Sequence, residues 1–259
     1  MPSTSTPATM VFSDQPASSD VAAERRARKH RLAAALRVFA RLGFDIGVAG
    51  HITVRDPGDP DLFWVNPFGV AFAHVRPGDL LLVDHQGQVI EGQGVLNTAA
   101  FRIHAQVHAA RPDVVAAAHA HSLYSSAWSA MNRPLLPLTN EGCFFFENHV
   151  VHAEHTGITV EDEKARAIAA DLGPHRAAFL LNHGALTVGA TVDEAAWWFI
   201  ALEHACHVQL LAEAAGTPQP VDPADARLVR DTMGTAHAGW FSFQPLYQQV
   251  TRDNPDLFE

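Results

Sequence analysis

Cysteine is scarce in this sequence. Cys143 and Cys206 are the two cysteines among 259 residues, and they lie far apart in the chain. They lack the paired spacing that is typical of a disulfide framework or of a thiolate zinc site, so neither is expected. This usage of cysteine favours a reducing cytoplasm as the location of the protein.

Long apolar runs and an excess of positive charge are also lacking. No stretch of about 18 uncharged apolar residues occurs, so no transmembrane helix is predicted. The chain has 28 acidic against 18 basic residues and a formal net charge of −10, which repels nucleic-acid phosphates and anionic lipid. We therefore expect no nucleic-acid or membrane partner, and a small-molecule substrate instead.

The composition and its changes along the chain predict one large domain. The apolar content of 47% is sufficient for a substantial core. Residues 1–19 are rich in Ser, Thr, Pro and Ala without a signal-peptide apolar stretch, which predicts a disordered tail. Residues 20–220 are predicted to form the domain. Residues 221–259 are predicted to be an extension that packs on the domain or on a neighbouring subunit.

Apolar spacing and turn residues predict helices and strands in irregular alternation. Asn97, Thr159 and Thr191 are predicted helix caps, the last forming a capping box with Glu194. Helices are predicted over 20–42, 97–110, 161–172 and 191–216. Strands are predicted over 52–54, 62–65, 80–83, 114–121 and 178–181. Because no βαβ period occurs, the pattern predicts an α/β fold with a mixed sheet flanked by helices.

Three of the 16 histidines are predicted to meet at one point. His119 and His121 are two residues apart on a predicted strand, so their side chains leave the same face. His183 follows the end of the next predicted strand. Hydrogen-bonded core histidines are the structural alternative, but this spacing favours three ligands of one divalent cation. Such a site can act as a Lewis acid, lower the pKa of bound water, or bind dioxygen if it holds Fe²⁺.

His104 and His108 are four apart on a predicted helix and share one face. A second metal site there is discounted, because no third ligand is evident and the general-base glutamate of the helical zinc motif is absent.

Five segments resemble the class II aldolase/adducin family, and the resemblance extends over about residues 31–216. The segments are Gly50–Arg55, Asn66–Gly69, Arg111–Val114, Ala118–Ser122 and Asn182–Gly184. The resemblance implies a central, mainly antiparallel sheet flanked by helices, and a homotetramer with active sites at subunit boundaries. It also implies that His119, His121 and His183 bind a metal ion, which we expect to be Zn²⁺ or Fe²⁺, with Mn²⁺ and Co²⁺ as alternatives. The residues implied to bind substrate are Gly50, His51, Thr53, Asn66 and Gly69.

Ala100 is a departure from the family pattern. Aldolases of the family have an acid/base glutamate at this position, and a methyl group cannot transfer a proton. Glu141 and Tyr124 are the candidate replacements. The alternatives are that Glu141 is a solvated or capping carboxylate and that Tyr124 is a core residue.

Three functions follow as hypotheses. The first is a metal-dependent lyase that cleaves a C–C bond beside a carbonyl, by aldol cleavage or decarboxylation, in a small hydroxy or keto acid or a sugar-like substrate. The second is an Fe²⁺- and O₂-dependent oxygenase that performs oxidative C–C cleavage of an aromatic keto or hydroxy acid. The missing glutamate, Trp197, Trp198 and the aromatic segment 240–246 resemble a family branch with that activity, although core packing also explains these aromatics. The third is a non-catalytic module like adducin, a branch that has lost the metal histidines which this chain retains.

Overall fold

A computed structural model describes residues 18–155, 157 and 161–258. The predicted tail lies outside the described residues except for its last two positions, and so does Thr159, the predicted cap. The helices are α1 (Val21–Arg41), α2 (Thr98–Ala110), α3 (Leu123–Ser129), α4 (Asn140–Cys143), α5 (Asp162–Leu172), α6 (Val192–Ala215), α7 (Pro223–Met233) and α8 (Ala236–Asp253). The strands are β1 (His51–Arg55), β2 (Leu62–Val65), β3 (Leu81–Asp84), β4 (Val89–Glu91), β5 (Ala116–Ala120), β6 (His149–His152), β7 (Ala177–Leu180) and β8 (Gly184–Gly189).

The eight described strands form one sheet in the order β4-β3-β2-β1-β5-β8-β7-β6. Every neighbouring pair is antiparallel except β6 and β7, which are parallel. The predicted fold class, a mainly antiparallel mixed sheet flanked by helices, is therefore confirmed.

Strand β5 lies in the middle of the sheet and is buried on both faces. Its alanines have no exposed surface, and their small side chains allow helices to approach closely from either side. Ala116, Ala118 and Ala120 face the main core with α1 and α6. Ala117 faces a second core with α2 and α5. The alternation places His119 on the α2 side of the sheet.

The predicted helix caps Asn97 and Thr191 are both observed, but the predicted capping box needs a correction. The side chain of Asn97 accepts a hydrogen bond from the amide of Ala100 at 3.3 Å, and that of Thr191 accepts one from Glu194 at 3.0 Å. The carboxylate of Glu194 does not return to Thr191, so the predicted capping box is half formed. It accepts hydrogen bonds from the Ala190 amide at 2.6 Å and the Trp198 indole at 2.9 Å instead.

The prediction missed β4, β6 and β8. Strand β8 is the important one, because it returns beside β7 and pairs with β5. A tight turn makes this return possible, with Asn182 at φ 56° and Gly184 at φ 141°. Asn and Gly are the residues that adopt positive φ most readily, so the motif around His183 is a hairpin turn.

The segment 221–259 packs on the domain through α8. Phe243 is fully buried and belongs to the main core, as do Val250 and Leu257. Trp198 and Trp240 are also buried, which agrees with core packing for both. The extension's packing on a neighbouring subunit stays a prediction. None of the described helices is long and apolar enough to cross a membrane.

Candidate metal centre

The pairing of β5 with β8 brings the three histidines together. His119 lies near the end of β5 opposite Leu186 of β8, and His121 directly follows the strand. Since β7, the turn and β8 form an antiparallel hairpin, the turn that carries His183 lies beside this same end of β5. Two segments distant in sequence therefore meet at one edge of the sheet.

The geometry of the three rings suits a single cation. One nitrogen from each of His119, His121 and His183 lies within 4.8 Å of the other two. The Nε2 atoms of His119 and His121 are 3.1 Å apart. Two nitrogens bound to one ion at about 2.1 Å, in a roughly tetrahedral arrangement, would be about 3.4 Å apart. The observed separation is close to this value.

Hydrogen bonding and burial favour neutral imidazoles with lone pairs available. The Nδ1–H of His119 donates to the Ala185 carbonyl oxygen at 2.8 Å, which leaves Nε2 as the acceptor facing His121. Burial lowers the pKa of His119 well below its usual value and that of His183 to about 4. Burial also lowers the pKa of His121. These are the protonation states that metal binding requires.

A cavity of about 380 Å³ opens over the three histidines. Its other described lining residues are apolar or small apart from Asn97: Val48, Ala49, Gly50, Phe68, Ala99, Ala100, Ile103 and Gly157. None of these described residues is Asp, Glu, Lys or Arg. Ala100 is part of the wall, so the site of the missing glutamate faces the cavity.

Gly50, His51, Asn66 and Gly69 line an adjoining cleft together with Phe68 and Phe72. Gly50 has φ 94°, and a Cβ there would lie 3.0 Å from the carbonyl oxygen of His119. The Oδ1 of Asn66 accepts a hydrogen bond from the Ile52 amide at 3.2 Å, which holds this segment against β1. The structure thus brings these four predicted substrate residues to one cleft, and their contact with substrate stays a prediction.

Thr53 does not reach this cleft or the cavity. Thr53 is a residue of β1 and is fully buried on the side that faces α2. Its hydroxyl lies 2.8 Å from Nδ1 of His104 and 2.9 Å from Nε2 of His108. The expected substrate contact therefore finds no support in the position of Thr53. The arrangement also explains the helical histidine pair as hydrogen-bonded core residues.

His51 packs between this pair and the triad. Its ring centroid is 3.9 Å from that of His104 and 5.7 Å from that of His119. Among the described residues, neither nitrogen of His51 has a hydrogen-bond partner of normal geometry. The backbone of Ala100 is near enough to raise the pKa of His51, which offsets part of the effect of burial. Burial lowers the pKa of His51 to about 3.

The two predicted acid/base residues lie elsewhere. Glu141 is half-buried in the short helix α4. The ring of Tyr124 stacks on His207, with a centroid separation of 3.7 Å. Neither residue lines the cavity, so their catalytic roles stay predictions. The sequence analysis missed Phe68, Ala99 and Ile103 as cavity residues, although Phe68 stood inside a family motif and Ile103 is one helical turn from Ala100.

Comparison with known proteins agrees with this geometry. The model of the Class II Aldolase and Adducin N-terminal domain matches residues 30–210. The chain belongs to this family. The family generally uses a divalent metal ion, and the three histidines form a possible site for one.

Two curated relatives are each 48% identical to the chain. One is the 4-hydroxy-3-prenylphenylpyruvate oxygenase/4-hydroxy-3-prenylbenzoate synthase of Streptomyces roseochromogenus subsp. oscitans, with 92% of this chain and 87% of the relative covered. The other is the decarboxylase NovR of Streptomyces niveus, with 94% and 91% covered.

A solved structure, L-fuculose 1-phosphate aldolase from Glaciozyma antarctica PI12, has a TM-score of 0.89 to this chain. It is 41% identical, and the match covers 95% of this chain and 97% of the aldolase. Together with the relatives, this structure identifies the chain as an enzyme, and a metal-dependent function of the lyase type fits.

Replacing any one of the three histidines by alanine is expected to abolish stoichiometric metal binding, because two imidazoles leave the ion without its third protein ligand. Elemental analysis of purified protein after dialysis against Zn²⁺ measures this. The variant His74→Ala is the control, since His74 is exposed and lies outside the cluster. Full metal content in His183→Ala would contradict the predicted ligand set.

The metal-free protein is expected to lose stability as the pH falls below about 6.5. Burial lowers the pKa of His51 and His108 to about 3 and that of His104 well below its usual value. The unfolded chain therefore binds more protons than the folded chain at pH values between these lowered pKa values and about 6.5. The free energy of unfolding then decreases by up to about 1.4 kcal/mol per pH unit for each histidine.

Urea unfolding at pH 7, 6 and 5 measures this dependence. Asp56 does not titrate in this pH range, because hydrogen bonds from Arg25 and Trp64 lower its pKa to about 2. His104→Gln is expected to be less stable and to show a shallower pH dependence, whereas His74→Gln should keep the slope. A free energy of unfolding that is constant from pH 7 to 5 would contradict the expectation.

Proposed function

We propose that this chain is a metal-dependent enzyme that cleaves a C–C bond beside the carbonyl group of an aromatic or otherwise apolar oxo or hydroxy acid. The observation that carries the proposal is the composition of the cavity, which combines three neutral imidazoles with apolar walls. The relatives' names support the substrate class, because each is an oxygenase or a decarboxylase and one names a phenylpyruvate.

The polar end of the substrate is proposed to face the imidazoles. No Lys or Arg is among the described residues that line the cavity, so a carboxylate or phosphate there would find no protein cation. His119, His121 and His183 would hold a divalent ion, which would supply positive charge for the polar end of the substrate and for the oxygen on which negative charge develops during bond cleavage. The carboxylate is thus recognised without a basic side chain.

The remainder of the substrate is proposed to pack against Val48, Phe68 and Ile103. An aromatic ring would bury apolar surface there, and each Å² buried would stabilise the complex by about 25 cal/mol. A sugar phosphate would instead lose hydration from its hydroxyl groups with Asn97 as the one polar side chain among the described non-histidine walls. The cavity therefore favours an apolar acid over the sugar-like substrate that the family resemblance also allows.

Ala100 favours a reaction that needs no protein carboxylate beside the bond that breaks. In the decarboxylation of a 3-oxo acid, the electron pair of the broken bond passes to the 3-oxo group as an enolate, which a metal ion can stabilise and which takes its proton from water. A 2-oxo acid has no such electron acceptor, so its decarboxylation requires an oxidant such as dioxygen. Aldol cleavage requires a base for a substrate hydroxyl, and the described cavity wall supplies none besides the three imidazoles that are proposed to hold the ion. Glu141 or Tyr124 would provide one only if brought to the cavity. We therefore favour decarboxylation within the lyase class.

Oxidative cleavage is the second candidate, and the relative named as an oxygenase supports it. It uses the same site and the same class of substrate, but with Fe²⁺ and dioxygen. The neutral ligand set is compatible with either Zn²⁺ or Fe²⁺, and with Mn²⁺ or Co²⁺.

Assembly and location complete the proposal. We propose a homotetramer without nucleic-acid or membrane partners. Exposed apolar side chains near the cleft, Ile46, Val48 and Phe68, are compatible with burial between subunits. A cytoplasmic location is proposed because Cys143 and Cys206 are both free thiols.

The function is tested with protein loaded separately with Zn²⁺, Mn²⁺, Co²⁺ and Fe²⁺. Each form is incubated with aryl 3-oxo acids, aryl 2-oxo acids, aryl 2-hydroxy acids and L-fuculose 1-phosphate, in air and without oxygen, while carbon dioxide release and oxygen consumption are recorded. Carbon dioxide release without oxygen supports decarboxylation. Release that requires both oxygen and Fe²⁺ supports the second candidate. Turnover of the sugar phosphate alone, or of nothing, would contradict both, and His121→Ala is the inactive control.

Introducing a carboxylate at position 100 is expected to lower kcat/KM for the apolar acid about 10-fold or more. The new carboxylate would compete with the substrate carboxylate for the ion and would repel the substrate. A 10-fold loss of kcat/KM corresponds to about 1.4 kcal/mol of transition-state stabilisation. The measurement compares Ala100→Glu with Ala100→Gln, which has nearly the same size without the charge. Equal activities for the two variants would show that volume alone matters.

A further inference from the structure

A buried carboxylate from α6 lies behind the metal centre. Glu203 has 6% of its surface exposed and belongs to a helix that packs on β5 and α3. Its Oε1 accepts a hydrogen bond from the Tyr124 amide at 2.8 Å. Its Oε2 accepts hydrogen bonds from the Ser122 hydroxyl at 2.6 Å and from the Ser125 amide at 2.7 Å. One side chain therefore accepts hydrogen bonds from three groups at the start of α3.

Glu203 takes over a task that Ser122 would normally perform. Ser122 occupies the N-cap of α3 with an extended backbone, yet its side chain makes no capping hydrogen bond. Its hydroxyl donates to Glu203 instead and accepts from the Ser125 hydroxyl at 2.7 Å. The cap is thus supplied by a residue distant in sequence, and a carboxylate is a stronger acceptor there than a hydroxyl.

This cap lies directly beside a proposed metal ligand. His121 is the residue before Ser122, and in the described structure its ring has one hydrogen-bond contact, with Nε2 of His119. His119 is different, because the carbonyl oxygen of Ala185 fixes its ring. The direction of the His121 imidazole therefore depends on its backbone, and Glu203 holds the residues that follow.

We propose that Glu203 is a positioning residue of the metal centre, which fixes the backbone after β5 so that the His121 imidazole is directed at the ion. This inference rests on metal binding by the three histidines, as proposed above. Changes in the outer contacts that orient ligands typically weaken metal binding 10- to 100-fold. We expect the same range on removal of the Glu203 carboxylate.

Glu194 provides a matched control on the same helix. It is also a buried carboxylate, with 8% of its surface exposed, and it accepts two hydrogen bonds where Glu203 accepts three. Its partner Ala190 follows Gly189, which pairs with Ala116 at the opposite end of β5 from His119. Loss of its charge should destabilise the fold without moving the metal ligands.

The experiment measures the dissociation constant for Co²⁺ by chelator competition, the visible spectrum of the Co²⁺ form, and urea unfolding of the metal-free chain. Glu203→Gln is expected to weaken Co²⁺ binding 10- to 100-fold and to alter the spectrum. Glu203→Ala should weaken binding further, because the Gln oxygen still accepts a hydrogen bond. Glu194→Gln should lower the free energy of unfolding while its dissociation constant stays within twofold of the parent's.

Two results would overturn the inference while leaving the metal centre intact. One is parent-like Co²⁺ affinity and spectrum in both Glu203 variants, and the other is equal weakening by Glu194→Gln. If the Glu203 variants do not fold, Ser122→Ala is tested in their place and is expected to weaken Co²⁺ binding several-fold. Unchanged Co²⁺ affinity in Ser122→Ala would then overturn the inference. Failure of the parent to bind Co²⁺, or parent-like binding by His121→Ala, would reject the metal centre itself.

Discussion

The antiparallel pairing of β5 with β8 is the constraint on which the site depends. It holds the end of β5 beside the β7–β8 turn, so that side chains from two distant segments can approach one point. The pairing requires a β5 that fits between two helical layers, and its alanines allow this. Larger side chains at these positions would push α2 or α6 away and separate the histidines. The chemistry at the strand end therefore rests on the small residues before it.

Much of the fold follows from sequence pattern, because the long helices and buried strands carry strong periodicity and caps. Two of the three strands that the prediction missed, β4 and β8, are more instructive. Strand β8 begins with glycine directly after a turn motif and reads as a continuation of it, so local propensity does not separate the two. Strand β4 is short and exposed and carries little apolar signal. Long-range pairing with β5 decides β8, whereas a local hairpin with β3 decides β4.

The predicted site shows the same division. A strand period of two placed His119 and His121 together, and the turn motif pointed to His183. The position of Thr53 was harder to predict, because a hydroxyl on an apolar strand gives no indication of which face its partners occupy. Its two imidazole partners come from α2, and the docking of that helix is a tertiary property. Glu203 was missed for a related reason, since its partners are about 80 residues away.

The far end of the chain has a practical consequence of its own. The guanidinium of Arg37, 5% exposed on α1, makes two hydrogen bonds with the Asp256 carboxylate, at 2.8 and 2.7 Å. Trimming the last few residues would leave that guanidinium enclosed without this counter-charge, which should lower the free energy of unfolding. A shortened form of the protein made for purification should therefore retain Asp256.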